Sequence, residues 1–145
     1  MKVLYFDDEP FISRTLTENL SLCYDWKVTL ISEIDDLFQE LANNQYDILI
    51  LDIMVPIPET DKNSTVKFTK KDIEEMEGGM STGIVLAKKI WEIHGPIPIL
   101  FLSARSMPDA ITNFQKEGKK CEYLRKPELA KTVNATLHQL LNKQK

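Results

Sequence analysis

Four short apolar runs of this chain end in acidic, hydroxyl or basic side chains, and no other feature constrains the fold as much. One run precedes Asp7 and Asp8, another precedes Asp52, and two more precede Ser103 and Lys126. Buried strands of parallel sheets are continuous apolar runs, and ligands of open α/β sheets bind beyond the carboxyl ends of the strands. We therefore expect these polar side chains to meet at one edge of a parallel sheet.

Strand and helix patterns alternate along the chain, which favours an α/β fold. Helices are predicted to begin at Pro10, to follow an N-cap at Ser32, and to cover residues 82–94, 109–117 and 128–142. By analogy with flavodoxin-like proteins, we expect a (βα)5 three-layer sandwich with five parallel strands in the order 2-1-3-4-5. This order puts the first and third strands, and hence their acidic ends, side by side.

Composition excludes several classes of protein. The 145 residues suffice for one domain with a hydrophobic core, and 43% hydrophobic and 28% charged residues are ordinary for a globular protein. A net charge of −4 without a basic patch argues against nucleic-acid binding. No apolar run reaches membrane-spanning length, no signal peptide precedes the first strand, and Cys23 and Cys121 lack metal-ligand spacing. We expect one cytoplasmic domain, residues 1–145, without nucleic-acid or membrane partners.

The acidic cluster itself implies a cation. Neighbouring carboxylates repel one another unless a positive charge compensates them, and Mg²⁺ prefers carboxylate, water and phosphate oxygens. A carboxylate can also act as a nucleophile and carry a phosphoryl group as an aspartyl phosphate. The sequence therefore predicts a magnesium and phosphoryl site with Asp52 as the acceptor.

The order of these residues resembles that of the receiver domain of two-component response regulators. In that family an acidic pair follows the first strand, an acceptor aspartate the third, a serine or threonine the fourth, and Lys-Pro the fifth. Here these are Asp7–Asp8, Asp52, Ser103 and Lys126–Pro127. The match covers nearly the whole chain.

The resemblance implies a defined metal site. Asp8 and Asp52 would bind Mg²⁺ directly, Asp7 would bind it through water, and Met54 would contribute its backbone carbonyl. The Lys126–Pro127 peptide bond is expected to be cis, since only before proline is the free-energy cost of the cis form small.

The resemblance also assigns the residues that handle the phosphoryl group. Lys126 and the Ser103 hydroxyl would contact it, and Ser103 together with Tyr123 would form the switch. Met54 and Arg105 occupy the positions that tune dephosphorylation, and neither is an obvious general base. We therefore expect slow autodephosphorylation, with a phosphoryl lifetime of minutes or longer.

The implied partners are proteins of a phosphorelay. The donor would be a sensor histidine kinase or a histidine phosphotransfer protein. A surface made by the fourth of the five predicted helices, the fifth strand and the fifth helix would bind a downstream protein or form a homodimer. The chain ends after that helix, so both a single-domain receiver that signals by docking and a part of a longer regulator remain open.

One segment departs from the family pattern. About two dozen polar residues, roughly 57–79, separate the third strand from the glycine that opens the next helix. Thr69 and Asp72 predict a capped short helix over 70–76 within it. Long loops in compact domains are usually functional or disordered. We expect this insertion to contact the phosphodonor or another partner and to cover part of the site; a mobile loop without function is the alternative.

Two other functions remain open. A magnesium-dependent phosphohydrolase of the haloacid-dehalogenase type also forms an aspartyl phosphate, but it needs an aspartate two residues after its nucleophile on the first strand. Here Glu9 stands two residues after Asp7. The second alternative is a receiver-like module that binds partners without being phosphorylated.

Overall fold

Five strands form one parallel sheet in the order β2-β1-β3-β4-β5, which confirms the predicted topology. The structure is a computed structural model, and it describes residues 1–59 and 66–142. Both faces of β3 and β4 are buried, so all their side chains before the terminal Ser103 are apolar without alternation. The strands are β1 (Lys2–Phe6), β2 (Lys27–Ile31), β3 (Ile48–Leu51), β4 (Ile99–Ser103) and β5 (Cys121–Arg125).

Helices cover the two faces of the sheet, which gives the expected three layers. Val3 and Tyr5 of β1 face a core formed with the first and last helices, whereas Leu4 and Phe6 face the core on the opposite side. A short 3-10 turn, Glu77–Gly79, lies between the third and fourth helices. The helices are α1 (Pro10–Tyr24), α2 (Ile34–Asn43), α3 (Lys70–Glu75), α4 (Thr82–His94), α5 (Asp109–Lys116) and α6 (Ala130–Asn142). The fourth and fifth helices predicted from the sequence are thus α5 and α6.

Two predicted helix starts were wrong by one or two residues. Ser32 does not cap α2, because the first helical bond runs from the Leu37 N–H to the Glu33 carbonyl at 3.1 Å and makes Glu33 the N-cap. The last helix begins at Ala130 instead of residue 128. There the Glu128 carboxylate accepts a hydrogen bond from the backbone of Leu129, before the helical bonding pattern is established.

Backbone hydrogen bonds extend the sheet one residue past its strands and so fix the polar residues that follow. The Asp7 N–H donates to the Ile31 carbonyl at 3.0 Å, and the Asp52 N–H donates to the Phe6 carbonyl at 3.1 Å. The Lys126 N–H donates to the Ser103 carbonyl at 2.9 Å. The residues that carry the site therefore share the rigidity of the sheet.

The described part of the insertion packs on the core. Thr69 and Asp72 form the predicted capping box of α3, with bonds of 2.8 and 3.0 Å. Met76 is fully buried, and Phe68 contacts Phe38 of α2 edge-on, with 6.5 Å between ring centroids. Burial of apolar side chains of this size stabilises a structure by roughly 2 kcal/mol each, so packing holds α3 in position.

Ion pairs add to this docking. Lys89 of α4 lies 3.3 Å from Asp72, and Lys88 lies 3.6 Å from Glu75. Ion pairs at or near the surface contribute about 0.5 kcal/mol each, so they orient α3 more than they stabilise it.

None of the helices within residues 1–59 and 66–142 combines the length and the hydropathy that crossing a bilayer requires.

Candidate functional site

The carboxyl edge of the sheet gathers four charged side chains around one point. Asp7 follows β1, Asp52 follows β3 and Lys126 follows β5, while Asp8 lies beside Asp7. One carboxylate oxygen from each of the three aspartates lies within 4.8 Å of the others. The structure thus brings together the acidic residues and the lysine that the sequence singled out.

The Lys126 ammonium bridges two of these carboxylates. Its Nζ atom lies 2.5 Å from Asp7 Oδ2 and 3.1 Å from Asp52 Oδ2. Burial by itself lowers the pKa of Lys126, but the hydrogen bond to Asp7 and the charges of Asp52 and Asp7 outweigh burial and raise that pKa above its usual value. Lys126 is therefore a permanent cation at physiological pH.

Asp7 is completely buried, and both of its oxygens are engaged. Its Oδ2 accepts from the Ser13 hydroxyl at 2.5 Å as well as from Lys126, and its Oδ1 accepts from the Glu9 N–H at 2.9 Å. Sequence reasoning missed Ser13. The signal was available, because Ser13 stands three residues before Leu16 on a buried helical stripe, where a polar side chain needs a partner.

Asp8 is the most accessible member of the cluster. Its side chain is only partly buried and makes no ion pair among the described residues. Burial, followed by the charges of Asp7 and Asp52, raises the pKa of its carboxyl. Three carboxylates against one ammonium leave two negative charges in excess (3 − 1 = 2), the charge that a divalent cation neutralises.

The donor set fits magnesium. The candidate ligands are all oxygen atoms, and Mg²⁺ selects hard oxygen ligands, usually one or two carboxylates completed by water and phosphate. A site for zinc or copper would instead offer histidine or cysteine, and neither residue type is part of this cluster among the described residues.

The loop after β3 fixes the acceptor candidate. Asp52 is 7% exposed, and its Oδ1 accepts from the Met54 N–H at 3.2 Å. Gly83 of α4 packs directly beneath this loop and donates its N–H to the Ile53 carbonyl at 2.9 Å. A Cβ on Gly83 would lie 2.1 Å from the Asp52 carbonyl oxygen, so only glycine allows the helix to approach this closely. Thr82 adds a hydrogen bond of 2.6 Å to the Val55 carbonyl.

Ser103, Arg105 and Tyr123 form a second group beside the pocket. Ser103 is fully buried at the end of β4, and its Oγ accepts from the Arg105 N–H at 3.3 Å. The half-buried Tyr123 donates its hydroxyl to the Arg105 carbonyl. Lys126 connects the two groups, because its backbone N–H is bonded to the Ser103 carbonyl. The Lys126–Pro127 bond is cis, as expected.

No protein-family model and no curated protein matches this sequence. Solved structures do match. A receiver domain of the Francisella response regulator 1452 is 20% identical, covers 99% of this chain and 98% of its own, and superposes with a TM-score of 0.70. This chain has the fold of a response-regulator receiver domain.

Two further structures agree with this assignment. A receiver domain protein from Methanospirillum hungatei is 14% identical over 99% of this chain and 94% of its own, with a TM-score of 0.71. A receiver domain protein from Clostridium thermocellum is 22% identical over 99% of this chain and 95% of its own, with a TM-score of 0.67. Likeness at these identities shows the receiver fold.

Replacing Asp8 with asparagine should stabilise the metal-free protein at neutral pH. The raised pKa means that the ionised carboxyl opposes folding, so removing its charge should gain a few tenths to about 1 kcal/mol, a small value because solvent screens a partly exposed group. The gain should disappear below about pH 3.9, where Asp8 is neutral in the unfolded chain as well. Urea unfolding in EDTA between about pH 4 and neutral measures this difference.

Added Mg²⁺ should make the wild type more stable than Asp8→Asn, because the ion stabilises the wild type and not the variant. Glu9→Gln is the matched control, since Glu9 is exposed and lies outside the carboxylate cluster. A loss of stability in Asp8→Asn without metal would contradict this view of the cluster.

Proposed function

We propose that this protein is a phosphoacceptor receiver that takes a phosphoryl group from a phosphohistidine donor onto Asp52. One observation carries the proposal: a partly buried lysine ammonium lies between Asp7 and Asp52 at the carboxyl edge of a receiver-fold sheet. Phosphoryl transfer depends mainly on positioning and on charge neutralisation, and this arrangement supplies both.

The transfer step exchanges one bond to phosphorus for another. A carboxylate oxygen of Asp52 attacks the phosphorus atom, and a P–O bond forms as the P–N bond to the donor imidazole breaks. The imidazole nitrogen leaves with the electron pair of the broken bond. Lys126 is already within hydrogen-bond distance of Asp52 Oδ2, so its charge is available to the oxygens of the incoming group without large rearrangement.

Mg²⁺ is the proposed cofactor. Asp8 and Asp52 would hold it directly, Asp7 through water, and Met54 through its carbonyl. When bound, the ion neutralises charge on the phosphoryl oxygens. The chain's own contribution is to keep Asp7 fixed through Ser13 and Lys126, so that the carboxylates stay clustered despite their repulsion.

Switching is proposed to begin at Ser103. A phosphoryl group adds roughly two negative charges and new acceptor oxygens, which favour a hydrogen bond from the Ser103 hydroxyl. Because Ser103 and Tyr123 both contact the backbone of Arg105, a shift of one affects the other. The surface of α5, β5 and α6 would then bind a downstream partner or a second copy of the chain.

The phosphoryl group is proposed to be long-lived. Met54 and Arg105 flank the acceptor and the hydroxyl residue, and neither offers a carboxylate or amide that could orient a hydrolytic water. The proposed setting is the cytoplasm, in keeping with Cys23 and Cys121 being reduced cysteines.

Acetyl phosphate with Mg²⁺ should add one phosphoryl group to Asp52, with acetate as the leaving group. Intact-protein and peptide mass spectrometry locates the modification. Asp52→Asn should abolish it and Lys126→Met should slow it, whereas Asp36→Asn, an exposed aspartate of α2, should leave it unchanged.

The same measurement separates the alternatives. Continuous turnover of phosphomonoesters without a stable adduct would support the phosphohydrolase of the haloacid-dehalogenase type. A wild-type protein that stays unmodified under these conditions would support the phosphorylation-independent interaction module. Either result would refute the receiver proposal.

Exposed apolar side chains around the pocket support docking of a protein donor. Among the described residues, six of the nine large apolar side chains with high exposure lie in loops or at helix starts beyond the carboxyl ends of the strands. Such a concentration marks an interaction surface. We call this set the apolar rim: Phe11, Met54, Ile57, Met80, Met107 and Leu129.

The insertion contributes to the rim. Ile57 belongs to it, and residues Pro56–Glu59 and Val66–Phe68 line a groove of about 900 Å³ that reaches Asp8. We propose that residues 57–79 touch the phosphodonor, a sensor histidine kinase or a histidine phosphotransfer protein, and border the site that it enters.

Phe11→Ser and Ile57→Ser, made separately, should slow transfer from a phosphorylated histidine phosphotransfer protein by about tenfold, the cost of losing an apolar contact of 1–2 kcal/mol. Modification by acetyl phosphate should not change, because a small donor does not reach the rim. Leu22→Ser is the control: Leu22 is 84% exposed, as Phe11 is 83%, but it lies at the far end of α1. Equal slowing with both donors would exclude a docking role.

A further inference from the structure

Arg105 joins three segments that are distant in sequence. Its backbone N–H donates a hydrogen bond to the Ser103 hydroxyl oxygen, and its carbonyl accepts one from the Tyr123 hydroxyl. The Nη1 atom of its guanidinium donates on the other side, to the Met80 carbonyl at 2.8 Å and to Ser81 Oγ at 2.5 Å. One residue therefore contacts both the proposed switch and the point where the insertion returns to the core.

The insertion is tightly organised at that point. Ser81 donates its hydroxyl to Glu77 at 3.1 Å and its N–H to the Met76 carbonyl at 2.9 Å. Glu77 has a φ of 52°, in the left-handed region that a residue with a side chain rarely adopts, and Gly78 and Gly79 continue this turn with positive φ. Such a backbone persists only when surrounding contacts impose it. The Arg105 contacts to Met80 and Ser81 are among those contacts.

The acceptors that now hold Arg105 are neutral. The guanidinium is charged in both cases, but a carbonyl or hydroxyl oxygen offers it only a partial charge, whereas phosphate oxygens carry full negative charge and match its planar fork of donors. A phosphoryl group on Asp52 would place about two negative charges beside the Ser103 hydroxyl that Arg105 already contacts. The two states of the pocket thus differ in how strongly they attract Arg105, which is the condition for coupling two sites.

We propose that Arg105 is a latch that couples phosphorylation of Asp52 to release of the insertion. Without the phosphoryl group, Arg105 holds Met80 and Ser81 and keeps the turn Glu77–Gly79 and α3 docked on α4. With it, the guanidinium turns away from these neutral acceptors and the segment from Lys70 to Ser81 loosens. The insertion is then an output element in its own right, separate from the surface of α5, β5 and α6. This inference rests on the proposed function.

Hydrogen exchange of the full chain with Mg²⁺, with and without acetyl phosphate, tests the latch. Phosphorylation should speed exchange of the amides of Lys70–Ser81 by between about fivefold and about a hundredfold, the usual range for coupling between sites. Arg105→Gln should exchange fast in this segment before any donor is added and should not respond further. Ser81→Ala should also speed exchange of this segment, but by less, because the Met80 carbonyl still accepts from Arg105.

Arg14→Gln is the matched control, since Arg14 is exposed on α1, and it should behave as the wild type. A wild type whose Asp52 gains the phosphoryl mass while exchange of Lys70–Ser81 stays unchanged would overturn the latch and leave the receiver proposal standing. A wild-type response retained in Arg105→Gln would do the same. Absence of any mass gain on Asp52 would overturn both.

Discussion

The Lys126 ammonium is the interaction on which the site depends. It contacts two carboxylates in a pocket where Asp7 is fully buried and Asp52 nearly so. Removing one partner of a fully buried ion pair usually costs about 3–5 kcal/mol, and the loss here should be smaller because Lys126 is only partly buried. Without this cation, three clustered carboxylates would repel one another and would not all stay ionised. The lysine therefore compensates the negative charge that the fold gathers at this edge of the sheet.

The parallel sheet makes this contact possible. Asp7, Asp52 and Lys126 each donate a backbone N–H to the end of a neighbouring strand, so their positions follow from the strand register. Because Gly83 has no side chain, α4 packs directly against the Asp52 carbonyl and the loop that follows β3. The segment between β3 and α4 begins and ends at this loop, because the Val55 N–H donates to the Gly79 carbonyl at 3.2 Å.

Much of this could be predicted from the sequence, for a clear reason. Apolar runs that end in charged residues identify strand ends, and strand ends of a parallel sheet share an edge, so the clustering of Asp7, Asp8, Asp52 and Lys126 follows from topology. The capping box of Thr69 is a local signal and was predicted as well. The start of α2 was placed one residue early, because Ser32 is a favourable cap that tertiary bonding did not use.

The contacts of Arg105 could not be predicted, because they are made by geometry and leave no local pattern. Its side chain bonds Met80 and Ser81, 25 and 24 positions earlier, and no periodicity connects them. The position resembles one that tunes dephosphorylation, whereas its described contacts point toward the insertion. Arg105 thus ties the end of β4 to the segment that precedes α4.

The most direct test of the central ion pair is a double-mutant cycle of Asp7→Asn and Lys126→Met, measured as free energies of unfolding in EDTA. Each single change alters the charge and preserves the approximate volume. We predict a coupling of about 2 kcal/mol between the two sites, because Asp7 contributes favourably only while the ammonium is present. If the two single changes in free energy of unfolding sum to that of the double variant within about 0.5 kcal/mol, the view that Lys126 holds the acidic pocket together is contradicted.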